Sequence, residues 1–399
     1  MSEWNESKLK DITIFIKDGT HGTHKDVLDG IPLLSAKDIE NGKILIPDNC
    51  RTVSESDYKL LHANYEIEND DLLLTVVGTI GRVAIAKKLS RKITFQRSVS
   101  IIRIDKSKLL PDYSFHYFQS FKFQQTLERS KNASAQGGVY LGELAKARIF
   151  HPVLPSEQNK IAHILTTCDT VIEQTQSAIT KYKAIKQGLL LDLFTRGLNA
   201  NGKLRPSYQE TPELYKESDL GKIPKEWEVK RLEEIASMKS GDGITSAFIS
   251  DTGDFPVYGG NGLRGFTATY THEGDYVLIG RQGALCGNIT RVSNKFFASE
   301  HAVVVIVNKD IDVDWLSQKL DAMNLNQYSE ASAQPGLAVT KILRLFITKP
   351  QLIEQTEIGK RLLALDNKMN AEETLLKKYQ SIKRGLMGDL LGGKKEVVI

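Results

Sequence analysis

This chain is written twice, and that limits its fold more than any other feature. Ala133-Ser134-Ala135-Gln136 recurs as Ala331-Ser332-Ala333-Gln334, an offset of 198 residues (331 − 133). Lys181 through Leu193 returns as Lys378 through Leu390 at an offset of 197, with eight of thirteen positions identical. Average composition predicts about one identity in thirteen. A period this long excludes a solenoid of short repeats, so each repeat is a whole domain followed by a long helix. Two similar domains without catalytic apparatus suit a protein that recognises two similar things at once.

At 399 residues the chain can hold two domains, each with its own core. The segment Met1-Ser2-Glu3-Trp4-Asn5-Glu6 lacks a basic n-region and an apolar h-region, so no signal peptide is expected. No apolar run approaches the roughly 18 residues of a membrane helix. Cys50, Cys168 and Cys286 lie more than a hundred residues apart and form no metal-spaced pair. An odd, scattered set suits a reducing cytoplasm. The net charge of +4 is compatible with a polyanion partner without demanding one.

The first globular unit is expected over 1–154. Its strand-like runs are Asp71–Val77, Arg82–Ala86 and Val99–Ile104, with a helix around Tyr113–Glu128. The second, over 227–350, keeps the order, with Tyr276–Ile279, Ala302–Val307 and a helix opening near Asp314-Trp315. Trp4, Leu9 and Ile12 match Trp227, Leu232 and Ile235 at a constant offset of 223, so the first copy carries extra loop residues in its front half. Long helices are expected at 155–195 and 351–391. Ile161, Leu165, Cys168, Ile172, Thr175, Ile179, Tyr182, Lys186, Leu189 and Leu193 alternate steps of four and three. Ile358, Leu362, Leu365, Met369, Glu372, Leu376, Tyr379, Lys383, Leu386 and Leu390 repeat them in register. This is the a/d seam of a coiled coil. Its polar breaks match, Thr175 with Glu372 and Lys186 with Lys383, which predicts that the two helices pair, antiparallel if the repeat closes on itself. The alternative is two separate amphipathic helices, each covering its own domain. Residues 196–226, with Pro206, Pro212 and Pro224, read as a polar tethering loop over the surface. The expected fold class is α+β: two similar domains of short mixed strands separated by an antiparallel coiled coil.

Catalytic motifs are missing. There is no Gly-x-x-x-x-Gly-Lys-[Ser/Thr] phosphate loop and no Asn-Pro-Pro-aromatic tetrad for amino-methylation. His21 and His24 are close together, but no third ligand is suggested, so no metal is expected. Asp48, Asp57 and Lys59 could build a metal-assisted nuclease, although the second copy has no counterpart. The repeats instead keep polar, glycine-flanked loops. Thr79 and Arg82 face Arg281, Gln282 and Asn288; Gln96 and Arg97 face the Ser299–His301 loop; Ser134 and Gln136 face Ser332 and Gln334. Lys17, Thr20, His21 and His24 at one turn, and Asn261 and Arg264 at another, complete the candidate contacts. Glycine lets a backbone approach a ligand, and Arg, Gln and Asn form bidentate bonds with base edges. Basic hairpin turns at Lys87, Lys88, Arg91, Lys92, Arg291 and Lys295 are placed to meet phosphates. Surface loops of ordinary proteins look much the same, and a scaffold pairing two protein-binding domains without DNA contact remains the alternative.

The helix starts Pro155-Ser156-Glu157-Gln158 and Ile353-Glu354-Gln355, the paired helix ends, and the linker containing Thr195-Arg196-Gly197-Leu198 and Ser218 through Trp227 point to one family. Over nearly its whole length the chain resembles the specificity (S) subunit of type I restriction–modification systems. The resemblance implies two target-recognition domains, each reading one half of a split, asymmetric site in double-stranded DNA. It also implies a helical spacer that docks two methyltransferase (M) subunits and, through the complex, restriction (R) subunits. No cofactor is expected on this chain, because S-adenosylmethionine belongs to the M subunit, and ATP and Mg²⁺ to the R subunit. The protein would be cytoplasmic and non-catalytic. Pro335 stands where the first copy has Gly137, a departure that bears on the shape of that loop.

Overall fold

The computed structural model describes residues 3–132, 137–283, 285–329 and 336–395, and divides into two compact units. Unit 1 comprises residues 1–176 and 375–399, and unit 2 residues 177–374.

In unit 1, β1 (Trp4–Lys8) pairs with a late strand, Arg148–Pro152, in a two-stranded ribbon. The central sheet contains β2 (Thr13–Asp18), β4 (Leu72–Thr75), β5 (Val83–Ile85) and β7 (Val99–Ile104), in the order β2-β7-β4-β5, all antiparallel. Beside it, β3 (Ile31–Leu34) and β6 (Thr94–Phe95) form a short parallel pair; Arg148–Pro152 is β8. The apolar runs of β4 and β7 do not alternate with polar residues because both faces of the sheet are buried. Leu72, Leu74, Ile102 and Ile104 enter the core shared with the helices, while Leu73, Val99 and Ile101 enter a second, smaller core. The helix expected around Tyr113–Glu128 is two helices, α1 (Pro111–Phe118) and α2 (Phe121–Asn132). Ser120 causes the break: its Oγ accepts the Phe123 N–H at 3.3 Å, an N-cap that restarts the helix.

Unit 2 repeats the plan. Its ribbon pairs β9 (Glu228–Arg231) with β16 (Phe346–Lys349). Its central sheet is β10 (Ala236–Ser240), β15 (Ala302–Val307), β12 (Tyr276–Gly280) and β13 (Ile289–Val292), in that order. The parallel pair is β11 (Phe255–Gly259) with β14 (Lys295–Ala298). Val277, Ile279, Val303 and Val305 face the helix-side core, and Leu278, Ala302 and Val304 the smaller one. The extra residues of the first copy fall between β3 and β4, where the helix Glu55–Leu61 is inserted.

Two long helices, α3 (Pro155–Thr195) and α5 (Leu352–Leu390), run through both units; α4 (Val313–Ala322) is the counterpart of α1. In unit 1, Ile161 and Leu165 from the start of α3 share a core with Leu386 and Leu390 from the end of α5. In unit 2, Leu189 and Leu193 from the end of α3 share a core with Ile358 and Leu362 from the start of α5. Start meets end in each unit, so the helices pack together antiparallel rather than each covering its own domain. None of the seam residues is exposed: Ile172, Ile179, Tyr182, Leu365, Met369, Leu376 and Tyr379 are buried or half-buried along with the others. Among the described residues, no helix is long and apolar enough to cross a membrane.

The segment 196–226, expected as a surface tether, is folded onto unit 2. Leu198, Arg205, Tyr215 and Ile223 are buried. The carboxylate of Glu354 accepts from Arg205 Nη1 at 2.6 Å and Nη2 at 3.0 Å, from Trp227 Nε1 at 3.0 Å, and from the Leu198 amide at 2.7 Å. A polar composition concealed this because the buried guanidinium is ion-paired with Glu354 and Glu226.

Candidate nucleic-acid interface

The polar loops converge at one end of each central sheet. In unit 1 these are the turn after β2, the turn after β3, the β4–β5 connection and the β6–β7 connection. A single set of main-chain hydrogen bonds ties them together: Gly19 N to Val99 O, Thr20 N to Phe95 O, Gln96 N to Leu34 O, Val76 N to Ser98 O, Gly81 N to Thr75 O, and Val139 N to Val76 O. Unit 2 repeats every bond: Gly241 N to Ala302 O, Asp242 N to Ala298 O, Ser299 N to Tyr258 O, Arg281 N to His301 O, Gly287 N to Gly280 O, and Leu337 N to Arg281 O. Gly19 and Gly241 are required by close approach, since a Cβ would lie 2.1 Å from Phe95 O and 2.2 Å from Ala298 O respectively. The loops are therefore rigid platforms with fixed backbones, from which side chains can be varied at little cost.

On the first platform, Arg97 and Thr79 are exposed and Gln96 is half-buried. The Asp18–His24 turn is closed on itself: Thr20 Oγ1 bonds His24 Nε2 at 2.8 Å, and His21 Nε2 bonds Asp18 Oδ2 at 2.5 Å. Two candidates lie elsewhere. The Lys17 ammonium sits over the Tyr65 ring at 4.1 Å. The Arg82 guanidinium donates to Ile39 O at 3.2 Å and lines a cavity of about 750 Å³ against the long helices. On the second platform, Asn261, Arg264, Arg281, Gln282 and Asn288 are exposed and His301 is half-buried. Arg281 Nη1 donates to Ser240 Oγ at 2.9 Å. Glu300 takes the Ile244 amide at 3.3 Å and lies 3.2 Å from His301 Nε2. Ser134, Gln136, Ser332 and Gln334, with Pro335, lie outside the described residues. The turn Ser240–Gly243 was missed in the sequence, because it matches Asp18–His24 only in its glycine and its place after the first sheet strand.

Most of the basic hairpin residues are engaged within the protein. Lys87 pairs with Asp112, Lys92 with Glu55, Lys295 with Glu273, and Arg291 with Asp314 at 2.6 Å and Asp275 at 3.0 Å. Asp57 is part of a helix start, its amide bonded to Ser54 Oγ at 3.0 Å. Among the described residues, no group of His, Cys, Asp and Glu could hold a metal ion.

In both units the start of the long helix is tied to the globular part in the same way. Gln158 is buried, accepts the Leu110 amide at 2.9 Å and donates to Pro152 O at 2.9 Å. Gln355 does the same with Asp312 N and Pro350 O, both at 2.9 Å. The lysines that interrupt the seam are ion-paired: Lys383 with Asp169 in unit 1, and Lys186 with Asp366 at 2.6 Å in unit 2. Beside these aspartates stand counterparts on α1 and α4. His116 Nδ1 is 3.8 Å from Asp169, and Gln318 Nε2 donates to Asp366 at 2.6 Å. Burial pushes the His116 imidazole down to about 4, so it is neutral at physiological pH.

The family model for the type I restriction modification DNA specificity domain matches residues 1–181 and 224–381. The specificity subunit of the type I restriction enzyme EcoprrI of Escherichia coli is 44% identical over 146 residues, which span 36% of each chain. The MjaVIII specificity subunit of Methanocaldococcus jannaschii is 23% identical over 363 residues, covering 83% of this chain and 80% of that one. The crystal structure of a type I S subunit from M. genitalium superposes over 98% of this chain and 96% of that one, with a TM-score of 0.69 at 18% identity. That likeness concerns the fold.

Proposed function

Because this chain belongs to the type I restriction modification DNA specificity family, and so is a non-catalytic subunit that recognises DNA targets, we propose that its two loop platforms read the two halves of a split, asymmetric site. The observation that carries this reading is the recurrence of the platform hydrogen bonds in both units with different side chains on top. Thr79, Gln96 and Arg97 stand on one platform, and Asn261, Arg264, Arg281 and Gln282 on the other. The same frame with different readers suits two unlike half-sites. Arg and Gln supply bidentate contacts to guanine and adenine, and the basic turns can exchange their exposed ion pairs for phosphates at small cost.

The antiparallel helices set the gap between half-sites and dock two methyltransferase subunits, which bring restriction subunits into the complex. S-adenosylmethionine works on the former, and ATP and Mg²⁺ on the latter, in the cytoplasm. Family membership sets aside both a scaffold that never touches DNA and a nuclease built on Asp48, Asp57 and Lys59. Exchanging residues 227–350 for the matching domain of a relative tests the reading. Mapping of methylated adenines should show one half of the motif changed and the other kept, and a change in both halves would refute it.

A further inference from the structure

Unit 2 carries a desolvated charge that no carboxylate among its described residues neutralises. Lys319 on α4 lines a cavity of about 710 Å³ bounded by the end of α3, the linker, α4 and β16. Its ammonium donates to Thr348 Oγ1 at 3.2 Å and lies over the Phe194 ring at 4.9 Å. Burial pushes the amine down to about 8, so the group is charged at neutral pH although poorly hydrated. The other lysine of the cavity, Lys222, is paired with Glu217. The walls are mostly apolar. Leu191 is 67% exposed there, and Leu220, Tyr328 and Phe346 are exposed with it. Exposed apolar side chains gathered around one cavity mark a surface that another molecule covers.

The lysine is not part of the repeat. Tyr117 stands for Lys319 at the offset of 202 that relates Gln318 to His116. Phe150 stands for Thr348 at 198, and Leu391 for Phe194 at 197. In unit 1 these residues belong to one apolar core, with Tyr117 and Leu391 buried. An apolar filling serves structure there without desolvating a charge, so structure alone does not call for a lysine in unit 2.

We infer that this cavity is a docking site for an apolar segment of a methyltransferase subunit, one that carries an aspartate or glutamate whose carboxylate pairs with Lys319. An anion is what neutralises an ammonium, and the apolar walls require that it arrive among apolar side chains. Lys319 has already lost most of its water in the free chain, so pairing gains attraction with little further desolvation of the lysine. The last turns of α3 form one wall, and the identity of the partner rests on the docking reading above. Because the lysine occurs in one unit only, one of the two docked subunits makes the contact.

Calorimetric titration of the full chain with the purified methyltransferase subunit tests the site. Lys319→Met should weaken one of the two binding steps by about tenfold or more and leave the other unchanged. Lys319→Arg keeps the charge and should stay within about threefold of wild type. The Met variant should melt at the wild-type Tm or above it. Acetylation followed by mass spectrometry should label Lys319 in the free chain and find it protected in the complex. Undiminished binding by Lys319→Met, or equal labelling in both states, would overturn the inference. So would a fall in Tm for that variant, which would make Lys319 a structural tie to Thr348. A wild-type chain that binds no methyltransferase subunit would refute the docking reading itself, and the inference with it.

Discussion

Replacing His116 by glutamine, the residue its counterpart Gln318 already is, should flatten the acid side of the stability profile. His116 is fully buried on α1, with Nε2 bonded to Thr166 Oγ1 at 2.8 Å and Asp169, Lys383 and Lys87 as the nearest charges. Burial dominates, opposed by Asp169, and brings the imidazole from 6.5 to about 4. The folded state therefore resists a proton that the unfolded chain accepts. Stability from this group is intact above about pH 6.5 and declines as the pH falls towards 4. Below both values the loss is complete. The drop from 6.5 to about 4 makes the full loss about 3 kcal/mol, at about 1.36 kcal/mol per tenfold change in proton affinity. Urea unfolding of wild type and His116→Gln at half-unit steps from pH 8 to 4 measures it, since other titrating groups cancel in the difference. The wild type should lose up to about 1.4 kcal/mol per pH unit relative to the variant between pH 6 and 4.5. A difference constant across that range would refute the assignment of a neutral, desolvated imidazole.

Gln355→Leu should destabilise unit 2 by about 3–5 kcal/mol, because it leaves the Asp312 amide and the Pro350 carbonyl without partners at about 1–3 kcal/mol each and strains a packed site. Gln158→Leu should do the same in unit 1, and calorimetry of the single and double variants should give additive losses. Arg281→Ala should cost about 1–3 kcal/mol and relax one position of one half-site. Titrations on cognate and singly substituted duplexes at several salt concentrations would instead show a uniform loss, with a salt slope lower by about one, if Arg281 meets only phosphate. A heptad inserted after Thr175 and another after Glu372 add ~10 Å each while preserving the seam. The methylated motif should then acquire a longer gap, and an unchanged gap in a folded variant would contradict the ruler role.

The sequence by itself determined the twofold plan. Repeats at offsets of 197, 198 and 223 are visible without coordinates, and a heptad seam written twice can bury its apolar edge only against another helix. The strands Val99–Ile104 and Ala302–Val307 were equally legible, because β-branched runs bounded by turns have few other solutions. The glycine-flanked loops could be named from sequence, but their assembly could not. Main-chain bonds such as Thr20 N to Phe95 O join residues 75 positions apart (95 − 20), and they depend on strand order rather than on residue type. Tertiary structure also decided what the basic residues touch: Arg82, read in sequence as a base contact, and Arg291, read as a phosphate contact, meet Ile39 O and Asp314. The folded linker had the same origin, since Arg205 looks like a surface residue until Glu354, 149 positions away, is placed against it. Local pattern reports which face of an element is apolar. Pairing between polar groups far apart in sequence leaves no periodic trace, and here those pairings fix the loops and the linker in place.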